Sequence, residues 1–225
     1  MTRLRVMTYN ILLGGRRGEP LDRVVRSVAP DVLLVNESPK NPLVWKRDCL
    51  RLCKRWGMRY VVGGRPSGSN MVAVSRRVAV RRTFHEVLPQ PRFQPRRGIA
   101  ATQLKVAGQL VGVVSCHLSL DRDRRLREAR RVLDVAQRLR GPVVVAGDLN
   151  EPPNGRTWHL FREAGFADHG SREWRTFPSE DPRRRIDALL VRGDARVLRH
   201  GDPGVDVALL AAASDHRPVL AELEL

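Results

Sequence analysis

Apolar residues along the chain follow two alternating spacings, one typical of strands and the other of helices. Apolar residues at every second position, or in short unbroken runs, predict strands, whereas a recurrence every three to four positions predicts an amphipathic helix. In the N-terminal part this gives, in order, a strand over Arg3–Thr8, a helix that begins at Pro20 and is stopped by Pro30, a strand over Asp31–Val35, and a helix that carries Trp45 and Trp56 and ends at Gly57. The second strand is almost entirely apolar, which indicates burial on both faces.

From Arg59 to His117 the spacing changes to that of successive short strands joined by tight turns. The predicted strands are Arg59–Val62, Asn70–Ser75, Val78–Leu88, Ile99–Val106 and Gln109–Cys116. Ala107-Gly108 separates the last two strands, which is typical of a hairpin.

Strands and helices alternate again in the C-terminal half. The predicted elements are a helix over Asp123–Leu139, a strand over Val143–Ala146, a helix over Thr157–Ala164, and strands over Ile186–Val191 and Val219–Leu225. The stretches 89–95 and 202–204, which contain Pro and Gly, are predicted to be loops within a domain. The pattern therefore favours one mixed α/β domain over residues 1–225.

The composition excludes several classes of protein. With 225 residues, 42% of them hydrophobic, the chain can bury a substantial core and is not disordered throughout. No apolar stretch reaches the ~20 residues of a membrane helix, and the N-terminal segment has the alternation of a strand rather than the pattern of a signal peptide. The three cysteines, Cys49, Cys53 and Cys116, are too few for a disulfide framework. We therefore expect a cytoplasmic protein with reduced, buried cysteines and no stable membrane insertion.

The net charge is +17, and of the 41 basic residues only four are lysine. Arginine matches phosphate through two parallel hydrogen bonds, so this surplus favours contact with nucleic acid or an anionic membrane. The arginines are scattered along the whole chain beside abundant Ala, Val, Gly and Pro, however, and a compositional bias of the genome explains that distribution equally well. The charge is compatible with a phosphate-bearing substrate and does not identify one.

Polar clusters stand at the ends of the apolar strands, where loops can gather them at one edge of a sheet. The clusters are Tyr9-Asn10, Asn36-Glu37-Ser38, Ser115–Leu118, Gly147–Asn150, Arg185–Asp187 and Ser214–Pro218. Taken one at a time, each has a structural explanation, such as a turn at Asn10 or a helix cap at Asp148 or Asn150. Together they supply carboxylates, amides and the histidines His117 and His216. A purely structural role does not account for this combination, whereas a hydrolytic site needs all of these groups.

These residues resemble the endonuclease/exonuclease/phosphatase superfamily, whose fold is that of deoxyribonuclease I. The resemblance extends from Met7-Thr8-Tyr9-Asn10 to Ser214–Val219, and its most specific parts are Gly147-Asp148-Leu149-Asn150 and Ser214-Asp215-His216, with Asn10 and Glu37 in order. It implies a four-layer α/β sandwich of two sheets with helices on the outer faces. It also implies hydrolysis of a phosphate ester with a divalent metal, in which water attacks phosphorus.

By this resemblance Glu37 is the principal Mg²⁺ ligand, assisted by Asn10 and Asp215, with Mn²⁺ as the alternative ion. Hard cations of this kind prefer oxygen ligands, and a bound ion would neutralise charge on the phosphate oxygens. His216 corresponds to the essential histidine of the family, and Asp187 to the carboxylate that orients it and stabilises its charged form.

The resemblance also implies roles around the phosphate. Asn150 corresponds to a donor to a phosphate oxygen, and Asp148 to the group that positions or deprotonates the attacking water. Whether Asp148 or His216 is the base stays open. His117, in Ser-Cys-His-Leu, is similar to the histidine of the deoxyribonuclease I, sphingomyelinase and phosphatase branches, which implies donation to a phosphate oxygen or to the leaving oxygen.

Two positions depart from the family pattern. The residue before Glu37, the glutamate that the resemblance makes a metal ligand, is Asn36, whereas the family commonly has Gln there. A carboxylate often precedes the middle hairpin in the family, whereas this chain has Gln94 there. If that carboxylate pairs with the counterpart of His117, Glu86 is the substitute that the sequence offers.

Three functions are compatible with these features. A Mg²⁺-dependent nuclease, a monomer that cleaves the nucleic-acid backbone, is favoured by the complete site and the basic charge, and its cleavage would fall steeply with salt. The alternative is a phosphatase or phosphodiesterase with the same site that acts on a small phosphate ester or a phospholipid. A non-catalytic binding module is disfavoured because Asp148, Asn150, Asp187 and His216 are all present.

Overall fold

The computed structural model describes residues 2–12, 18–171 and 173–225, which form twelve strands and five helices. The strands are β1 (Arg3–Asn10), β2 (Val32–Asn36), β3 (Arg59–Gly64), β4 (Asn70–Val74), β5 (Ala79–Leu88), β6 (Arg97–Val106), β7 (Gln109–His117), β8 (Val143–Asp148), β9 (Ala167–Asp168), β10 (Asp187–Arg192), β11 (Arg196–Gly201) and β12 (Val219–Glu224). The helices are α1 (Gly18–Val28), α2 (Trp45–Arg55), α3 (Arg122–Ala136), α4 (Arg156–Glu163) and α5 (Val207–Ala213).

The strands form two six-stranded sheets. The first sheet has the order β11-β12-β1-β2-β4-β3 and the second the order β5-β6-β7-β8-β10-β9. In the first sheet β1 and β2 are parallel, and in the second β7 and β8 are parallel, while the other pairs are antiparallel. Each sheet therefore has one central pair of parallel strands whose carboxyl ends lie at the same edge.

The inner core lies between the two sheets. Strand β2 contributes Val32 and Leu34 to this core, and it turns Leu33 and Val35 to the opposite side of the sheet. Because alternate residues of a strand point to opposite faces, a strand with apolar residues at every position is buried on both sides. This confirms the expectation for β2.

Helices cover the outer face of each sheet. Val24 of α1, Leu52 of α2 and Leu210 of α5 pack on the first sheet, and Val132 of α3 and Phe161 of α4 pack on the second. The result is a four-layer α/β sandwich, as the resemblance implied. Among the described residues, no helix is long and apolar enough to cross a membrane.

All predicted elements are present, with ends that differ by at most three residues. The sequence did not reveal β9, β11 or α5. Strand β11 lies at a sheet edge, is mostly exposed and has a bulge between Val197 and Arg199, so it lacks the apolar alternation of an interior strand. Helix α5 is apolar throughout and shows no helical period, although Asp206 caps it by accepting a hydrogen bond from the Leu209 amide at 2.9 Å. The three cysteines are buried, as expected.

Candidate active site

Three strands of the second sheet bring His117, Asp148 and Asp187 side by side. His117 ends β7 and is paired with Asp148 at the end of the parallel strand β8. Asp187 begins the antiparallel strand β10 and is paired with Asp148 from the other side. The strand register therefore places these three residues in one row at the edge of the sheet.

The first sheet contributes a second group of residues to the same edge. Asn10 at the end of β1 is paired with Asn36 at the end of β2, and Glu37 follows directly. The Ser214 hydroxyl donates a hydrogen bond to the Asn10 carbonyl at 2.7 Å. This contact holds the segment before β12, which carries Asp215 and His216, against the end of β1.

The two groups meet at the carboxylate of Asp148. Its Oδ2 lies 3.3 Å from Nε2 of His117, 3.8 Å from Nε2 of His216 and 3.3 Å from Nδ2 of Asn10. Its Oδ1 accepts a hydrogen bond from the backbone N–H of Asn150 at 2.8 Å. Asp148 is 2% exposed, so this carboxylate connects both sheets in a nearly dry environment.

His216 is held from behind by Asp187. Nδ1 of His216 lies 2.9 Å from Oδ2 of Asp187, and the ring packs against Phe177 with centroids 4.8 Å apart. The Thr176 hydroxyl accepts a hydrogen bond from the Asp187 amide at 3.3 Å, which fixes the start of β10. A carboxylate on one ring nitrogen orients the imidazole and leaves Nε2 facing Asp148.

Burial and charge set the protonation states of this cluster. Burial opposes the charged imidazolium of His216, but the carboxylate of Asp187 more than offsets this and raises the pKa of His216 to about 9. Burial, with the nearby charge of Asp187, raises the pKa of Asp148 well above the usual value of a carboxyl. His216 is thus cationic at neutral pH, and Asp148 can accept a proton more readily than an exposed carboxylate can.

His117 has the opposite electrostatic environment. Burial, together with the positive charges of Arg97 and His216, lowers the pKa of His117 well below its usual value. Arg97 begins β6, next to the residue that pairs with His117, and burial lowers its own pKa although Asp148 and Glu37 favour its charged form. The neutral imidazole of His117 can still donate one hydrogen bond. Sequence reasoning did not single out Arg97 as a functional residue, although it belongs to the stretch that lacks the family carboxylate.

Glu86 does not pair with His117, so that substitution was a wrong prediction. The Glu86 carboxylate instead accepts hydrogen bonds from Arg131 of α3 at 2.8–3.0 Å. Strand β5 lies at the edge of the second sheet, next to β6, so its residues are separated from β7 by a whole strand. Gln94 is exposed and does not take the carboxylate's place.

Asn36 and Asn70 form a buried amide network beneath the site. Asn36 donates to Oδ1 of Asn70 at 2.7 Å and to the Cys116 carbonyl at 2.9 Å, and its own Oδ1 accepts from the Asp148 amide at 2.9 Å. Asn70 in turn donates to the Gly98 carbonyl at 2.7 Å. The network therefore connects the first sheet to β6, β7 and β8 of the second, and no sequence motif indicated Asn70.

We expect Asn36→Leu to lower the free energy of unfolding by roughly 3 kcal/mol. The substitution leaves three buried groups without their hydrogen-bond partner, namely the Cys116 carbonyl, the Asp148 backbone N–H and Oδ1 of Asn70. Denaturant unfolding measures the effect, and Asn154→Leu at an exposed position is the control. A loss of less than about 0.5 kcal/mol, the usual range for surface positions, would show that the network does not stabilise the fold.

Asn150 does not cap the helix that follows it. Its backbone is in the left-handed region with φ of 51°, and its side chain donates to the Leu118 carbonyl at 2.8 Å. Glu151 instead accepts a hydrogen bond from the Thr157 amide, in the first turn of α4, at 2.7 Å. A strained residue next to Asp148 is typical of a functional position rather than of a cap.

The oxygen donors expected for a metal ion suit a hard cation. Glu37 is half-buried, with a left-handed φ of 57°, and it directly follows Asn36, whose strand partner is Asn10. Carboxylate and amide oxygens are the ligands that Mg²⁺ prefers. Ligand atoms of Asp148, Asp187 and His216 also lie within 4.8 Å of one another, so this cluster is a second set of groups that could hold an ion.

Comparison with known proteins gives one family for this arrangement. A family model described as the endonuclease/exonuclease/phosphatase family matches residues 7–216. By sequence, no curated protein matches the chain.

Solved structures with the same fold include proteins of several activities. An endonuclease/exonuclease/phosphatase from Beutenbergia cavernae is 24% identical, with a TM-score of 0.73, over 100% of this chain and 72% of the other. The mannosyl-6-phosphatase Bt3783 of Bacteroides thetaiotaomicron is 17% identical, with a TM-score of 0.79, over 99% of this chain and 100% of the other. TDP2 from D. rerio, solved with a single-strand DNA product, is 17% identical, with a TM-score of 0.73, over 100% of each chain.

Proposed function

The chain belongs to the endonuclease/exonuclease/phosphatase family, and on that basis we propose that it is a Mg²⁺-dependent nuclease that hydrolyses the nucleic-acid backbone within a single domain over residues 1–225. Members of the family are phosphoesterase hydrolases, which makes this chain a nuclease or a phosphatase. The observation that carries the proposal of hydrolysis is the cluster around Asp148, in which His216 is held by Asp187 at 2.9 Å. A binding module would have no need of this buried and oriented pair.

Glu37, Asn10 and Asp215 would hold the metal ion. When bound, such an ion supplies positive charge to the phosphate oxygens and polarises the phosphorus–oxygen bonds. The three residues carry oxygen donors and come from the ends of β1 and β2 and the segment before β12, beside the Asp148 cluster. Enzymes of the family generally use a divalent metal, and Mn²⁺ suits the same donors.

Asp148 accepts the proton of the attacking water in this mechanism. Its raised pKa makes it a more effective base than an exposed carboxylate, and the Asn10 and Asn150 donors hold it in position. His216, kept cationic by Asp187, interacts with the negative charge that develops on the phosphate. The base and the imidazolium thus have separate roles.

The remaining polar groups bind the phosphate oxygens. The single N–H of neutral His117, at the Nε2 that lies 3.3 Å from Asp148, is shared between that carboxylate and a phosphate oxygen. Asn150 offers the second hydrogen of its side-chain amide, since the first is directed to the Leu118 carbonyl. Arg97, at the start of β6, adds a guanidinium that interacts with Asp148 and Glu37 through space. A half-buried guanidinium of this kind is well suited to a phosphate group.

Nucleic acid is the proposed substrate because the similar TDP2 structure contains a single-strand DNA product, and the net charge of +17 is compatible with this choice. The alternative is a phosphatase or phosphodiesterase for a small phosphate ester, and the similarity to a mannosyl-6-phosphatase favours it. Both reactions use the same site, so only the substrate distinguishes them.

The test is incubation of the protein with end-labelled single- and double-stranded DNA and RNA in Mg²⁺. We expect cleavage that EDTA abolishes, that returns on addition of Mg²⁺, and that falls steeply with salt because phosphate contacts release counterions. Intact nucleic acid beside rapid hydrolysis of a sugar phosphate would overturn the nuclease proposal in favour of the phosphatase.

A further inference from the structure

A cavity rich in arginine lies beside the active site. It has a volume of about 1020 Å³ and lies between α4, the loop after β8 and the segment before β10. Its lining includes five arginines, Arg162, Arg175, Arg183, Arg184 and Arg185. None of these residues belongs to the site described above.

Only part of this positive charge is neutralised within the protein. Arg185 is buried and donates two hydrogen bonds to Asp168, at 2.6 and 2.8 Å, and Arg183 pairs with Asp181. Arg162 contacts neutral partners, the Pro153 carbonyl and the His159 ring.

Three of the guanidinium groups have no anionic partner in the described part of the chain. Within residues 2–12, 18–171 and 173–225, Arg162, Arg175 and Arg184 form no ion pair. Like charges gathered in one concavity repel each other and attract an external anion.

One aromatic ring connects the cavity to the catalytic cluster. The guanidinium of Arg184 lies 4.9 Å from the centroid of the Phe177 ring, and the same ring packs against His216 at 4.8 Å. Arg184 is thus within roughly 10 Å of the imidazole, a distance that a few nucleotides of one strand can span. A strand with one phosphate at Asp148 can therefore reach the cavity with another.

We propose that this cavity is a subsite for a second phosphate of a nucleic-acid strand whose scissile phosphate lies at Asp148 and His216. The inference rests on the proposed nuclease function and adds to it a preference for substrates with more than one phosphate. Arginine forks bind phosphate oxygens in pairs, and a backbone with regularly spaced charges can occupy both positions at once. A small monoester can occupy only one.

The test measures binding of a fluorescent single-stranded oligonucleotide of roughly twelve nucleotides, a length within the range of single-strand binding sites. Anisotropy titrations between about 50 and 200 mM salt compare His216→Ala, which removes cleavage, with the same protein carrying Arg162→Gln and Arg175→Gln. Arg184 and Arg185 are left unchanged in this test. Arg184 packs on the Phe177 ring, which contacts His216, and Arg185 is buried, so replacing either would disturb more than the cavity.

We call the protein with Arg162→Gln and Arg175→Gln the cavity variant and expect it to bind the oligonucleotide roughly tenfold more weakly. Its slope of log Kd against log salt should fall by about 1.4, because each lost phosphate contact lowers the slope by ~0.7. The matched control is Arg130→Gln with Arg138→Gln, an equal loss of charge at exposed positions on and just after α3, where affinity and slope should stay unchanged. Equal effects of the two double variants, or no effect of the cavity variant, would overturn the subsite. Thermal unfolding checks that each variant is folded.

A parallel cleavage assay with the unsubstituted protein separates the two proposals. If the oligonucleotide survives in Mg²⁺ but binding still depends on Arg162 and Arg175, the nuclease function fails and the phosphate subsite stands. If the oligonucleotide is cleaved and the cavity variant binds and cleaves it equally well, the subsite fails alone. Binding of inorganic pyrophosphate, followed by thermal shift, provides the same comparison without a nucleic-acid chain and should weaken in the cavity variant only.

Discussion

Replacing His216 by alanine should lower kcat for phosphodiester cleavage by about 10³-fold or more, with little change in KM. The ring is oriented by the carboxylate of Asp187 at 2.9 Å, and in the proposed mechanism its cationic form interacts with charge that develops in the transition state. Steady-state cleavage of a defined oligonucleotide measures the effect. Asp187→Asn should lower kcat by roughly 10²-fold or more, because the imidazole loses the anion that orients it and keeps it charged.

Two controls separate this effect from misfolding. His216→Gln retains a side chain to pack against Phe177, so a loss of activity with an unchanged thermal midpoint excludes a mere packing defect. His85→Ala changes an exposed histidine on the edge strand β5, which β6 and β7 separate from Asp148 on β8, and it should leave cleavage unchanged. Activity of His216→Ala within a factor of about ten of the unsubstituted protein would contradict its catalytic role, since removal of one group that stabilises transition-state charge costs ~10²-fold or more.

Glu37→Gln should raise the Mg²⁺ concentration needed for half-maximal cleavage at least roughly tenfold, and lower kcat/KM by about 10²-fold at low Mg²⁺. The substitution keeps the size and the backbone position of the residue and removes only the negative charge that a hard cation requires. A titration of cleavage rate against Mg²⁺ measures both quantities.

The matched control is Glu86→Gln, because Glu86 is a carboxylate of the same type whose partner is Arg131 on α3. Its Mg²⁺ dependence should equal that of the unsubstituted protein. If Glu37→Gln and Glu86→Gln give the same Mg²⁺ titration, Glu37 does not bind the metal and the ion is held elsewhere, with the Asp148, Asp187 and His216 cluster as the next set to substitute.

The sequence predicted the strands, the helices and the strand ends well because these depend on local features, whereas the four-layer arrangement was implied by the family resemblance. The unbroken apolar run of β2 and the alternation of β6 and β7 are properties of neighbouring residues, and polar residues directly after such runs must lie at a sheet edge. Asp148 and His216 could be singled out for this reason. Their contact at 3.8 Å across the two sheets is the consequence.

Pairings between distant segments could not be derived in this way. Whether Glu86 reaches His117 or Arg131 depends on the order of strands in the second sheet, which no local spacing specifies. Asn70 belongs to the amide network beneath the site only because β4 lies next to β2 and opposite β6. No sequence motif indicates this arrangement of strands. The arginine cavity was equally hidden, because its members are separate in the chain and resemble the many other arginines of the sequence.

The pairing of β1 with β12 also has a consequence for protein synthesis. Asn10 is near one end of the described chain and His216 near the other, and the segment that carries His216 is held in place by the strand Val219–Glu224 that follows it. A growing polypeptide on the ribosome therefore has no complete hydrolytic centre until that last strand has emerged and paired with β1. Under the proposed nuclease function, such an order of assembly keeps the nascent chain inert beside ribosomal and messenger RNA.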